Sequence, residues 1–191
     1  MPLAVETLNE NLLVRFIRPE IRNPLSVEVV KRLHALFDSF QNGVDFTRIV
    51  FTGADDVFAS GADLREIERI DGEDAREFAH LGQSLMNKIA KMPLITVAAI
   101  NGYCFGGGLD LALACKRRIA SPNAVFSHPG AGLGIITGWG GTQRLPRLIG
   151  EAAALELLLT ADRFDSGWAK RTGLVDEIDG DPLMRAIGLD H

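Results

Sequence analysis

The hydrophobic pattern of the chain centres on one uncharged apolar run, residues 94–100 (LITVAAI), which is rich in β-branched residues. Its length and composition are typical of a strand buried on both faces, although periodicity alone does not distinguish it from a buried helical segment. The turn signal Asn101-Gly102 follows, then three glycines at 106–108 and a second apolar run at 109–115. The pattern therefore predicts a strand, a glycine-rich turn and a buried helix in direct succession.

Predicted elements of both types flank this central stretch. Two apolar stretches, residues 3–8 and 11–18, predict an N-terminal hairpin. Apolar residues at helical spacing predict one helix capped by Ser26 and a longer one that ends before Pro93. Because strands and helices alternate, the sequence predicts a single α/β domain. Further strands are predicted at 48–52 and 174–178, with two more within 116–126. Further helices are predicted at 64–70, at 166–171 and from 142 or 146 to 159. Loops are predicted at 53–63 and 127–142.

The three glycines suggest chemistry as well as a turn. Their permissive backbone lets the main chain approach a ligand closely. At the start of a helix, unpaired N–H groups and the helix dipole favour an anion, or an oxygen that becomes anionic during a reaction. Asp110 lies in the first turn of this predicted helix. Ordinary helix-start chemistry explains the same residues equally well.

Composition and charge narrow the classes of partner. The 191 residues are 47% hydrophobic and 24% charged, as in soluble globular proteins, and the net charge of −5 disfavours nucleic acid and anionic membranes as main partners. No segment resembles a signal peptide or reaches transmembrane length, so we expect a cytoplasmic protein. Cys104 and Cys115 are expected to be buried free thiols, and no cysteine or histidine spacing predicts a metal site.

A second glycine-rich stretch, residues 130–141, does not predict nucleotide binding. It lacks the Gly-Lys-Ser/Thr ending of a phosphate loop and does not fit the dinucleotide fingerprint. A G-x-S-x-G nucleophile elbow is also absent from the sequence. His128, at the entry to this stretch, is the one histidine that we consider a candidate for chemistry, and a hydrogen-bonded loop histidine is its alternative interpretation.

Four motifs follow one another along the chain: GADDVFASGADLREI (53–67), AAINGYCFGGGLDLALAC (98–115), GWGGTQRLPRLIG (138–150) and LTADRFDSGWAKRTGLVDEI (159–178). Their residues and order resemble the crotonase, or enoyl-CoA hydratase/isomerase, family. The resemblance covers nearly the whole chain. It implies an α/β fold of stacked ββα units, assembled as a homotrimer or hexamer.

The resemblance also implies a ligand and a set of site residues. The ligand is an acyl-CoA thioester, in which coenzyme A is part of the substrate, and no cofactor is permanently bound. Backbone N–H groups of Ala62 and Gly107 are implied to hold the thioester oxygen and to stabilise an enolate. For the two basic residues in the implied set, a solvated surface charge is an equally good interpretation. The residues implied to contact the CoA ester are Arg22, Ala59, Gly61, Ala62, Asp63, Arg65 and Gly107.

The chain departs from the family pattern at both catalytic carboxylates and at its C-terminus. Asp110 occupies the position of the first glutamate and is shorter by one methylene, and Gly130 occupies the position of the second. Water addition is harder with one carboxylate, because proton delivery and water activation must share it. We place the core domain at residues 1–178 and expect residues 179–191 to form a tail that is short for the family, with an altered assembly or a more open pocket.

Two functions remain open at this point. The first is an acyl-CoA enzyme in which Asp110 acts as acid or base, with His128 as a possible second proton-handling group. Within it, isomerase, hydrolase or decarboxylase chemistry fits the absence of a carboxylate at Gly130 better than hydration does. The second is a non-catalytic acyl-CoA-binding or assembly subunit. An Asp110 carboxylate that faces a cleft with the Ala62 and Gly107 amides favours the enzyme, and one that caps its own helix disfavours it.

Overall fold

The computed structural model describes residues 1–189, without the side chains of residues 41 and 42. These residues form an α/β domain with two sheets, and none of their helices is both long and apolar enough to cross a membrane. The strands are β1 (Leu3–Leu8), β2 (Asn11–Phe16), β3 (Arg48–Thr52), β4 (Val57–Ala59), β5 (Ile95–Ile100), β6 (Tyr103–Phe105), β7 (Arg117–Ala120), β8 (Val125–Ser127), β9 (Phe164–Asp165) and β10 (Glu177–Ile178). The α-helices are α1 (Val27–Asp38), α2 (Leu64–Ile67), α3 (Asp74–Lys91), α4 (Gly107–Ala114), α5 (Gly141–Ile149), α6 (Glu151–Thr160), α7 (Ser166–Thr172) and α8 (Pro182–Ile187).

The larger sheet has six strands in the order β1-β2-β3-β5-β7-β10. The predicted hairpin β1–β2 is antiparallel, and every other neighbouring pair in this sheet is parallel. The apolar run 94–100 supplies β5, which lies between β3 and β7. Val97, Ala98 and Ala99 are fully buried, which confirms the prediction of a strand covered on both faces.

The smaller sheet has four strands in the order β4-β6-β8-β9 and completes the stacked ββα architecture. Each unit places its first strand in the larger sheet, its second in the smaller sheet, and then forms a helix, as in β5–β6–α4 and β7–β8–α5. The second strands β4, β6 and β8 are neighbours and parallel. The segments that leave their carboxyl ends are therefore brought together, and these segments contain the candidate site.

Several predicted boundaries were wrong. The loop at 53–63 contains β4, and the Asn101-Gly102 turn leads into β6, because three-residue strands paired with distant partners leave no periodic signal. The predicted helix ending near 159 is divided into α5 and α6 at Gly150, whose φ of +85° ends the first helix. The last strand covers only Glu177–Ile178, and α2 ends three residues before the expected 70.

The segment after β10 packs against the sheet. Leu183 and Ala186 of α8 join the apolar cluster on one face of the larger sheet. The Arg48 guanidinium is buried and donates hydrogen bonds to the carbonyls of Ala186, Ile187 and Leu189, at 2.7–3.2 Å. The C-terminal residues 190 and 191 of the expected tail lie outside the described residues, and the boundary at residue 178 stays a prediction.

Candidate active site

An apolar cavity of about 360 Å³ opens between the small sheet, α2, α3 and the glycine-rich segment that follows β8. Asp110 and His128 are the only ionisable side chains among the described residues that line it. The exposed Leu133, Ile135 and Ile136 form part of its rim. An uncharged chain fits this cavity better than a charged one, because a buried charge without a partner is costly. Further apolar lining residues are Ile67, Ile70, Ala75, Phe78, Trp139 and Leu158.

Backbone amides of Ala62 and Gly107 meet at one wall of the cavity. Gly61 has φ +92°, and a Cβ at this position would lie 2.5 Å from the Gly107 nitrogen, so only glycine allows the close approach. A Cβ on Gly107 would in turn lie 3.3 Å from the Ala62 nitrogen.

Both of these amides are free to bind a ligand. Gly107 is the first residue of α4, so its N–H has no acceptor within the helix. The Ala62 N–H has no hydrogen-bond acceptor within residues 1–189. The structure thus brings together the two residues that the sequence predicted as an amide pair.

Asp110 faces the cavity and does not cap its own helix. The N-cap of α4 is Gly106, and no side chain caps it. The Asp110 carboxyl is 1% exposed and accepts a hydrogen bond at Oδ2 from the Thr137 hydroxyl, while Oδ1 has no partner among the described residues. A buried oxygen without a partner next to an open cavity is an available acceptor for a proton.

Burial controls the charge state of this carboxyl. Desolvation raises the pKa of Asp110 from 3.8 to about 7, although the Thr137 hydrogen bond, the charge of Arg144 and the Trp139 backbone amide oppose the rise. The pKa of a general base is most effective near the working pH. Asp110 is therefore able to take up and release a proton near neutrality.

His128 lies beside Asp110 on the same wall. Its Nε2 is 3.5 Å from Asp110 Oδ1, and neither atom has a hydrogen-bond partner within residues 1–189. Burial lowers the pKa of His128 to about 4, so the ring is neutral at pH 7. A Cβ on Gly141 would lie 2.2 Å from Asp110 Oδ1 and 3.2 Å from His128 Nε2. Because glycine has no side chain, neither atom is displaced.

Gly130, at which the resemblance places the second family carboxylate, has no room for a side chain in this structure. A Cβ on Gly130 would lie 2.6 Å from the carbonyl oxygen of Ile135, which is below any normal contact distance. Gly130 lines the cavity only with its backbone. In this conformation His128, two residues earlier, is the group that extends from this segment to Asp110.

The remaining residues of the predicted set do not line the cavity. Ala59 is fully buried in β4. Arg65 is exposed and forms a two-point ion pair with Asp63, at 2.9 and 2.6 Å. Arg22 is exposed, and its guanidinium lies 5.8 Å from the ring centre of Tyr103.

Not all aromatic and aliphatic side chains of this region line the cavity: Ile67, Ile70, Leu133 and Trp139 do, whereas Tyr103 and Phe105 do not. The rings of Tyr103 and Phe105 pack against each other, with their centres 5.5 Å apart.

Sequence reasoning missed Thr137 and Gly141 as parts of the site. Thr137 lies in an irregular glycine-rich segment, where no periodicity indicates which side chain turns inward. Gly141 begins α5 and resembles any other glycine at a helix start. Thr137 and Asp110 are 27 residues apart in the sequence, and only the folded structure shows that they are in contact.

Comparison with known proteins agrees with this architecture. The family model described as enoyl-CoA hydratase/isomerase matches residues 7–185. The crotonyl-CoA hydratase of Syntrophomonas wolfei is 39% identical over 171 residues, which are 88% of this chain and 66% of that protein. The short-chain-enoyl-CoA hydratase of Clostridium acetobutylicum is 35% identical over 177 residues, 92% of this chain and 65% of that protein. The chain thus spans just under two thirds of the length of these curated relatives.

Solved structures share the fold. An enoyl-CoA hydratase from Bacillus anthracis superposes with a TM-score of 0.92 at 32% identity, over 98% of this chain and 74% of that one. DspI of Pseudomonas aeruginosa superposes with a TM-score of 0.92 at 33% identity, over 97% of this chain and 77% of that one. Because a family model covers most of its residues and relatives exceed 30% identity, the chain belongs to the enoyl-CoA hydratase/isomerase family, also known as the crotonase family.

Proposed function

We propose that this protein is an acyl-CoA enzyme that forms a thioester enolate from an enoyl-CoA. Amides of Ala62 and Gly107 hold the thioester oxygen, and Asp110 carries the proton. The observation that supports this proposal most strongly is the arrangement of two unpaired amides and one buried carboxyl with an unpaired oxygen around a single apolar cavity. Binding alone does not need donors directed at an oxygen that becomes negative.

Proton transfer fits the site better than hydration. Three of the relatives named above bear the name of hydratases, and the family pattern that the sequence resembles has two carboxylates. Here the position of the second is Gly130, where a side chain would collide with a backbone carbonyl. Removal of the α-proton needs only one base and the amide pair. We therefore propose α-proton abstraction, with isomerisation of the double bond, as the principal chemistry.

The CoA portion is proposed to leave the cavity near Ser60 and to run toward Arg22. Ser60 lines the cavity, and its backbone N–H donates to the carbonyl of Arg22 at 3.1 Å. The exposed guanidinium of Arg22 is placed to meet a phosphate, and Arg65 is a second candidate. A homotrimeric or hexameric assembly and a cytoplasmic location are part of the same proposal.

A non-catalytic acyl-CoA-binding subunit is the alternative function. The absence of a carboxylate at position 130 and the shortened side chain at position 110 favour it. It predicts binding of CoA esters without exchange of their α-protons.

The test is to incubate the protein with crotonyl-CoA and with 3-hexenoyl-CoA in deuterated water and to follow deuterium at C2, hydration and isomerisation together. We expect deuterium at C2 of the 3-enoyl ester and its loss, by at least about 100-fold, in Asp110→Asn. Binding of the ester with no exchange, isomerisation or hydration would support the alternative function. No binding at all would refute both.

A further inference from the structure

We infer that His128 is the second proton-carrying group of the site and that Asp110 and His128 together move a proton from C2 to C4 of a 3-enoyl-CoA. The inference rests on the proposed function and adds the reaction and a further residue to it. The apolar, uncharged cavity beside the pair is the place for the acyl chain.

The geometry of the pair carries the inference. Asp110 is 1% exposed and His128 3% exposed, and both line the cavity. Asp110 Oδ1 and His128 Nε2 are 3.5 Å apart, about half an ångström beyond a normal hydrogen bond. Both atoms lack a partner among the described residues, although buried polar atoms are almost always paired. Two unpaired buried atoms that face each other are arranged to pass a proton between them.

The surrounding residues preserve this arrangement. Gly141 has no Cβ, and one at this position would lie 2.2 Å from Asp110 Oδ1 and 3.2 Å from His128 Nε2. The Thr137 hydroxyl donates to the other carboxyl oxygen, Oδ2, and so directs Oδ1 toward the histidine. A loop histidine with a purely structural role would have its ring nitrogen paired, which Nε2 is not.

The proton transfer is balanced without a further reactant. The Asp110 carboxylate removes the C2 proton, the electrons of the C2–H bond form the C1–C2 double bond, and the thioester oxygen becomes negative between the Ala62 and Gly107 amides. Asp110 then gives its proton from Oδ1 to His128 Nε2, which leaves a carboxylate and an imidazolium. The imidazolium protonates C4, the C3=C4 electrons form that bond, the double bond moves to C2=C3, and the thioester carbonyl is restored.

The charge states make the proton transfer from Asp110 to His128 the uphill step of this sequence, because Asp110 is the stronger base of the two. Burial holds the pKa of His128 at about 4 and that of Asp110 at about 7. The imidazolium is therefore the stronger acid of the two, which suits proton delivery to carbon, a weak base. Both groups return to their starting states at the end of the reaction.

The experiment measures two rates on 3-hexenoyl-CoA in deuterated water, exchange at C2 and formation of the 2-enoyl ester. The wild type is compared with His128→Gln, His128→Ala and, as a matched control, His80→Asn on the exposed part of α3. Thermal melting of each variant verifies that it is folded.

We expect both His128 variants to keep C2 exchange within about 10-fold of the wild type and to lose isomerisation by about 100-fold or more. His80→Asn is expected to retain both rates. If the wild type shows neither exchange nor isomerisation, the proposed function itself fails. If it shows exchange without isomerisation, or if folded His128 variants keep isomerisation or lose both rates equally, the inference about His128 is overturned and the enolate-forming function stands.

Discussion

Replacing Asp110 with asparagine is predicted to change how stability depends on pH. Burial raises the pKa of this carboxyl from 3.8 to about 7 in the folded protein. A group with a raised folded-state pKa contributes its full stability below the unfolded-state pKa and loses it as pH rises through the folded-state pKa. The free energy of unfolding of the wild type therefore falls as the pH rises from about 4 to about 7, because the buried Asp110 carboxyl has to ionise. Asparagine has nearly the same shape and does not ionise.

The magnitude follows from the two pKa values. At about 1.4 kcal/mol per pH unit, the difference between 3.8 and about 7 corresponds to a total of about 4 kcal/mol. Between pH 5 and pH 8 the part that is lost is about 2 to 3 kcal/mol, because the unfolded chain is already largely ionised at pH 5. His128 is present in both proteins, so its own titration cancels from the comparison.

The assay is urea denaturation of wild type and Asp110→Asn at pH 5 and at pH 8. The free energy of unfolding of the variant minus that of the wild type is the quantity to compare. We expect this difference to be about 2 to 3 kcal/mol more positive at pH 8 than at pH 5. Parallel behaviour of the two proteins, within about 0.5 kcal/mol, would show that Asp110 is not held in a desolvated site, and the argument from burial would be wrong.

Three further changes test other parts of the site. The C2 exchange rate is expected to rise with pH to a plateau, with a midpoint near 7, the pKa of Asp110. Thr137→Val should move that midpoint upward, because it removes a hydrogen bond that favours the carboxylate. A midpoint that does not move in the pH–rate profile would count against Asp110 as the base. Gly61→Ala should lower exchange by about 100-fold or more, because its Cβ would lie 2.5 Å from the Gly107 nitrogen, and an unaltered rate would contradict the amide pair. Gly130→Glu should lower the melting temperature and confer no hydration of crotonyl-CoA, because its Cβ would lie 2.6 Å from a backbone carbonyl oxygen. If the variant is as stable as the wild type and hydrates crotonyl-CoA, the segment has room for the second carboxylate.

The sequence alone predicts the central strand and the helix, although it leaves a helical alternative for the strand and misses β6 between them. The uncharged run became β5, and the glycines that follow mark the start of α4. The amide pair, in contrast, was identified from the family resemblance and not from periodicity. No local pattern relates Ala62 to Gly107, which are 45 residues apart and meet only because β4 and β6 are neighbours.

The remaining parts of the site depend on tertiary packing. Asp110 was singled out from its position, but its burial and its raised pKa require the cover provided by α5 and the preceding glycine-rich segment. His128 was a candidate without an assigned partner. The 3.5 Å approach of its ring to Asp110 depends on Gly141, a contact that the sequence gives no means of foreseeing.

Deuterium incorporation at C2 of 3-hexenoyl-CoA, measured at pH 8 for wild type and Asp110→Asn, shows whether Asp110 removes the α-proton. We expect incorporation by the wild type and a loss of at least about 100-fold in the variant, while the variant still binds the ester. Equal incorporation by the two proteins would contradict the role of Asp110, and a wild type that binds the ester but shows neither incorporation nor isomerisation would contradict enolate formation.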